Sequence, residues 1–237
     1  MIIEVLYPEV ALLYGDRGNV DLLKHCLPNA EFVYTGFNEK PAFVDRTVDL
    51  ILMGPSGEKD QLRIIECLTP YVDAMKACIE NGTHILLTGN ALDAFGMYIL
   101  DDKKRRHEAL GLFDFYAKQD LWHRYNGYVL GSFNGFDMVG HKSQFSMLYG
   151  DNSKNAFFEV NRGIGINPDS KYEGIHLKNL YATAMIGPIL TLNPKFARHL
   201  LMEMNVGEVV IPFEKELMAA YDERVSEFKR DDIKMIH

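Results

Sequence analysis

Cysteine is scarce. Cys26, Cys67 and Cys78 are the only three in 237 residues, too few and too scattered for a disulfide framework or a four-ligand zinc site. That scarcity fits a reducing, cytoplasmic compartment. Cys67 and Cys78 fall in one helical segment and read as buried small apolar residues. Long apolar runs are also missing: no stretch approaches the roughly 18 residues of a membrane span. The N-terminus, Met1-Ile2-Ile3-Glu4-Val5-Leu6-Tyr7, carries no basic segment ahead of its apolar residues, so no signal peptide is expected. Positive charge is in deficit: 25 Lys and Arg against 33 Asp and Glu give a net charge of −8. That balance argues against nucleic acid or an anionic membrane as partner. The eight histidines form no H-x-x-x-H pair, so no metal is expected. No phosphate loop occurs, Gly163-x-Gly165 is too short for a dinucleotide fingerprint, and no cofactor is implied.

What remains is ordinary for a soluble globular chain: 47% apolar and 24% charged residues. With no repeat, low-complexity stretch or linker, a single domain over 1–237 is expected, with 210–237 as a C-terminal helical extension. Ile2 to Leu6, Glu31 to Tyr34 and Val48 to Met53 read as strands, the last nearly all apolar. Apolar strands between helical segments predict a mostly parallel sheet covered on both faces. A helix is expected from about Asp60 to Glu80, kinked or split at Pro70 and stopped by Asn81-Gly82. From Phe115 to Val160 short alternating strands with many aromatics and glycines predict an added antiparallel ribbon. Leu180 to Met185 reads as an alternating strand, Asn193-Pro194 opens a helix, and Phe213 to about Lys229 is a charged amphipathic helix before a frayed tail, 230–237.

The chemistry is organised around Thr83-His84-Ile85-Leu86-Leu87-Thr88-Gly89-Asn90-Ala91-Leu92-Asp93-Ala94-Phe95-Gly96. An apolar run stops at Gly-Asn and a short helical pattern begins at Ala91: a strand feeding a tight turn into a helix, the frame of a nucleophile elbow. The turn holds no Ser or Cys. Two other loops sit near strand ends. Leu13-Tyr14-Gly15-Asp16-Arg17-Gly18-Asn19 presents Asp16 and Arg17, either to a ligand or as a solvated ion pair, with Asn19 as the expected cap of a helix from Val20 to Cys26. Gly54-Pro55-Ser56-Gly57-Glu58-Lys59-Asp60-Gln61 either brings backbone N–H groups to an anion or is a plain connection. Arg124 can hold a carboxylate or sit in a surface ion pair. Asp16, Asp93 and His141 are the acid–base candidates if the strand-end pocket belongs to a different enzyme.

Taken together, these segments resemble the glutamine amidotransferases of the cobyric acid synthase type, and among them the GatD-like glutaminase subunits. The elbow, the two loops above, Gly163-Ile164-Gly165-Ile166-Asn167, Gly174 and Gly187-Pro188-Ile189-Leu190-Thr191-Leu192-Asn193-Pro194 occur in family order. The resemblance implies an α/β, class I glutamine amidotransferase-like (flavodoxin-like) fold. It also implies an elbow Cys attacking the glutamine amide, a His base, and ammonia passed to a Mur-ligase-like (MurT-like) or other synthetase partner, in peptidoglycan-precursor or cobyrinate-type amidation. The sequence departs at the chemistry: the nucleophile position falls on Gly89 or Asn90, the base position on Ile186, and Pro55 removes an N–H from the loop that lends oxyanion donors. The expectation is therefore a pseudoenzyme that binds a partner or a small amide or carboxylate ligand, with Asp16, Arg17, Gly54, Ser56, Asn90, Asp93 and Arg124 as ligand-binding residues. An active glutaminase is the alternative.

Overall fold

A computed structural model describes residues 1–236. The chain opens with β1 (Ile2–Leu6), α1 (Arg17–Cys26), β2 (Glu31–Thr35), α2 (Ala42–Asp45) and β3 (Leu50–Met53). Next come α3 (Glu58–Leu68), a 3-10 turn at Thr69–Tyr71, α4 (Val72–Asn81) and β4 (His84–Thr88), which runs into a second 3-10 turn, Gly89–Phe95. The middle holds β5 (Tyr98–Leu100), β6 (Arg106–Glu108), β7 (Tyr116–Gln119), β8 (Tyr125–Phe133), β9 (Phe136–Gln144), β10 (Ser146–Tyr149) and β11 (Phe158–Arg162). The last third is β12 (Tyr172–Glu173), β13 (Ile175–Leu177), β14 (Leu180–Thr183), α5 (Ile189–Leu192), α6 (Pro194–Glu203) and α7 (Glu214–Lys229).

The central six-stranded sheet has the order β13-β14-β4-β3-β1-β2, parallel except for β13 at one edge. Side-chain alternation along each strand sorts its residues between two cores. Ile51, Met53, Ile85 and Leu87 meet Ile64, Ile65 and Leu68 of α3 with Met75 and Ile79 of α4. Ile3, Val5, Leu50, Leu52 and Leu86 meet Leu22, Leu23 and Cys26 of α1 with Phe196, Leu200 and Leu201 of α6. Both faces are thus covered, which is why these strands read as unbroken apolar runs. Two four-stranded sheets, β10-β7-β5-β6 and β12-β11-β8-β9, form the added ribbons.

Within 115–160 the strands pair antiparallel as expected, and a parallel pairing enters only through β5, ahead of that stretch, against β7. Several other expectations need correcting. The helix after Gly15 starts at Arg17, so Asn19 lies inside α1 and is buried; its side chain accepts from Leu190 N–H (2.9 Å) and donates to Asp16 (2.9 Å) instead of capping. All four residues of β14 are buried, because β4 and β13 flank it and both faces are covered, so it does not alternate. Cys67 and Cys78 are only half-buried and sit on two helices, α3 and α4, on either side of Pro70. The tail is held rather than frayed: Tyr128 N–H donates to Met235 O (2.7 Å), and Arg162 donates to the carbonyls of Phe228 (2.6 Å) and Ile233 (3.1 Å). His237, the last residue of that tail, lies outside the described residues. α7 lies on the ribbon itself, with Tyr221, Val225 and Phe228 against Leu130 and Val139.

Candidate functional site

β1 is the switch point of the sheet, flanked by β2 and β3, and the crevice beyond such strand ends is where open α/β sheets bind ligands. Here the loops after β1 and β3 close over it. Gly54 N–H donates to Ala11 O (3.1 Å) and Leu13 N–H to Pro55 O (3.2 Å).

The elbow stands next to this closure. β4 ends at Thr88, and Gly89 takes φ +59, the left-handed turn that aims a side chain away from its strand. A Cβ at Gly89 would stand 2.6 Å from Pro55 Cβ, so the Pro55 ring occupies the space that any side chain at Gly89 would enter. The turn that follows is a seven-residue 3-10 segment starting at Gly89 itself, not the expected helix from Ala91, and it supplies no helix dipole behind the elbow. Asn90 closes the site from the other side: Ser56 N–H donates to Asn90 Oδ1 (2.9 Å) and Asn90 Nδ2 donates to Ser56 O (2.8 Å). Both N–H groups of the Gly54–Ser56 stretch are therefore engaged, and Pro55 has none to offer an oxyanion.

Gly89, Asn90, Pro55, Ser56, Ile186 and Arg124 line one cavity with room for about 20 Å³, the space of a single water molecule. Arg124 sits at its mouth, donating from Nη2 to the Tyr14 hydroxyl (2.9 Å) with its guanidinium carbon 4.6 Å from the Phe145 ring centre. Ile186 N–H donates to His141 O (2.9 Å), which pins Ile186 over the elbow. His141 lies on β9 with its ring 5.7 Å from the Tyr128 ring, and it is not among the lining residues.

The remaining candidates lie elsewhere. Asp16 is not presented to solvent with Arg17. It is buried, accepting from Thr88 Oγ1 (2.7 Å) and Asn19 Nδ2 (2.9 Å), and burial raises its pKa to about 7 against these two bonds. It fits only because neighbouring backbone approaches without side chains: a Cβ on Gly54 would come within 2.3 Å of its Oδ2, and one on Gly187 within 2.5 Å of its Oδ1. A glycine-flanked charged pair reads as a solvated turn, and only the fold reveals Thr88 as the partner. Arg17 points outward and pairs with Asp21 (3.7 Å). Asp93 is buried behind the elbow, accepting from Ser146 Oγ (2.5 Å) and Gln61 Nε2 (3.2 Å); burial lifts its pKa to about 6. Gln61 also donates to Asn90 O (2.7 Å) and accepts from Gln119 (3.2 Å), so this network braces the turn from inside. Sequence reasoning missed Phe145 and Ser146, whose roles arise from distant pairings; Tyr14 lay within the Leu13–Asn19 motif and Gln61 within the 54–61 loop, and both were legible there. Among the described residues no group of three His, Cys, Asp or Glu side chains could hold a metal, and no helix is long and apolar enough to cross a membrane.

No family model matches the chain. It is 28% identical over 204 residues, 85% of its length and 83% of the relative's, to the lipid II isoglutaminyl synthase (glutamine-hydrolyzing) subunit GatD of Staphylococcus aureus (strain N315). To the subunit of the same name from Streptococcus pneumoniae (strain ATCC BAA-255 / R6) it is 24% identical over 200 residues, 83% of this chain and 77% of that one. A solved glutamine amidotransferase superposes with a TM-score of 0.55 at 13% identity, covering 87% of this chain and all of that one. PurLQS from Thermotoga maritima superposes with a TM-score of 0.52 at 12% identity, over 86% and 95% of the two chains. The fold is α/β and glutamine amidotransferase-like of class I, with a mostly parallel sheet, helices on both faces and added ribbons.

Proposed function

We propose that this chain is a glutamine amidotransferase-like subunit, one domain acting in the cytoplasm, that does not hydrolyse glutamine and works by binding a Mur-ligase-like or other synthetase partner. The observation that carries the reading is the Pro55 ring seated 2.6 Å from where a Gly89 side chain would begin. Three further observations support it. The base position holds Ile186, whose side chain carries no proton acceptor. The cavity has room for about 20 Å³, too little for a glutamine side chain. The cysteines line no part of it, and burial pushes the Cys26 thiol up to about 11, away from the reactive thiolate. The names of the relatives suggest a cell-wall precursor as the setting. A small amide or carboxylate at Arg124, Ser56 and Asn90 would require the site to open.

A second reading, an acid–base enzyme working through Asp16, draws on its raised pKa. Against it, Asp16 is 4% exposed and is not among the residues lining the cavity.

Restoring the missing groups tests the first reading. Gly89→Cys with Ile186→His is expected to release glutamate from glutamine no faster than the parent chain. The new Cβ meets Pro55 at a positive φ, so the variant also loses about 1–3 kcal/mol of stability. Turnover above background in a folded double variant would show that Pro55 does not plug the elbow and that oxyanion donors remain.

A further inference from the structure

The end of the molecule that carries the closed elbow also carries an unusual surface. Trp122, the chain's one tryptophan, is 84% exposed on the turn between β7 and β8. Leu121 beside it, and Leu13 and Tyr14 on the loop after β1, are each at least 40% exposed. Arg124 joins the two loops through its bond to the Tyr14 hydroxyl and its seat on the Phe145 ring. From Leu13 the surface continues into a groove of about 540 Å³, floored by Val10, Leu12 and Val20 and walled by Lys24 and Tyr34. Exposed Trp, Tyr and Arg in one patch is the composition of a binding hot spot, and contiguous apolar surface of this kind marks an interaction site.

The charges select the occupant. The chain carries −8 overall, yet among the described residues neither Lys24 nor Arg124 has a carboxylate within ion-pair distance. Lys24 lies instead over the rings of Phe32 and Tyr34, 5.5 and 5.3 Å from their centres. Three of the acids nearby are engaged: Asp21 pairs with Arg17, Glu9 accepts from Phe37 N–H (2.9 Å), and Asp120 pairs with His123 (2.9 Å); Glu58 shares the elbow cavity with Arg124 but lies beyond ion-pair distance of it. Lys24 therefore lines the groove, and Arg124 stands on the turn of the exposed indole beside Tyr14, each without a carboxylate partner.

We infer that this rim and groove are the docking surface for a protein partner that presents apolar side chains flanked by carboxylates: apolar groups enter the groove and cover Trp122, and carboxylates meet Lys24 and Arg124. This deepens the reading of the chain as a subunit and rests on it, since the partner is the synthetase, and its seat covers the mouth of the closed elbow.

The sole tryptophan reports the contact. The full chain is labelled with 5-fluorotryptophan, and the unlabelled Mur-ligase-like synthetase subunit from the same source is added. The single fluorine resonance is expected to shift. Trp122→Ser is expected to weaken binding at least 30-fold, and Lys24→Glu with Arg124→Glu at least 10-fold with altered salt dependence. Lys76→Glu, on α4 and away from this end, should bind like the parent. Because Trp122 is exposed, its variant keeps the parent's melting temperature. If the synthetase binds while the resonance stays put and the variants bind normally, the surface assignment is wrong and the subunit reading stands. If the synthetase does not bind the parent chain at all, the subunit reading itself fails. If Trp122→Ser abolishes only self-association, a second copy is the occupant and the inference is overturned.

Discussion

Lys142→Met is expected to destabilise the protein by about 3–5 kcal/mol, the cost of leaving a buried partner charge unpaired. Lys142 on β9 and Glu173 on β12 are both fully buried and form an ion pair. Lys142 Nζ also donates to the carbonyls of Gly165 (2.6 Å) and Ile164 (3.3 Å). Glu173 Oε1 accepts from Thr183 Oγ1 (2.8 Å) and Ala184 N–H (2.8 Å). Burial pulls the Lys142 pKa down, against the attraction of Glu173. The pair ties the ribbon to Thr183, the last residue of β14, and to Ala184 after it, so it helps fix the course of the chain toward Ile186. Methionine matches the apolar stem but strands the Glu173 carboxylate in a dry interior. Adding Glu173→Gln removes that charge while keeping an acceptor for Thr183 and Ala184, and it should recover at least half of the loss. Urea unfolding of the two variants decides the matter. A single variant within about 1 kcal/mol of the parent would mean that water reaches the pair.

Asp16→Asn is expected to stabilise the protein at pH 8 and to change little at pH 4. Burial lifts the Asp16 pKa from 3.8 to about 7. Between those values the folded state holds a proton that the unfolded state releases, so stability is full below about pH 4 and falls as pH rises to about 7. Each pH unit across the window is worth about 1.4 kcal/mol, or about 4 kcal/mol in all. Asparagine is neutral throughout and keeps an Oδ1 that can accept from Thr88 and Asn19. At pH 8 its melting temperature should exceed the parent's by on the order of 10 °C, with the gap closing on acidification. Asp93 adds a smaller contribution of the same sign, ending near pH 6. Equal pH profiles for parent and variant would mean that Asp16 is ionised and solvated in the fold.

Both residues show where sequence reading stops. The sheet was legible because strands covered on both faces must be apolar throughout, and Ile85 to Leu87 ending at Gly89-Asn90 could scarcely be anything but a strand feeding a turn. The resemblance, not spacing by itself, put the expected nucleophile position on Gly89 or Asn90 and the expected base position on Ile186. Lys142 carries no such signal: its partner is 31 positions away and belongs to another strand. Asp16 misled because its partner Thr88 is 72 positions away. Pro55 was read as a lost N–H donor. That its ring fills the elbow depends on how the loop after β3 meets the end of β4, which no local pattern encodes.

The most direct test is glutamate release from glutamine, measured on the purified chain alone and then with the proposed synthetase partner and ATP. No release above background in either case is the expected result, with Gly89, Ile186 and Pro55 as its cause. Release in either assay would mean that hydrolysis proceeds without an elbow thiol, and would contradict the account of a closed, silent site.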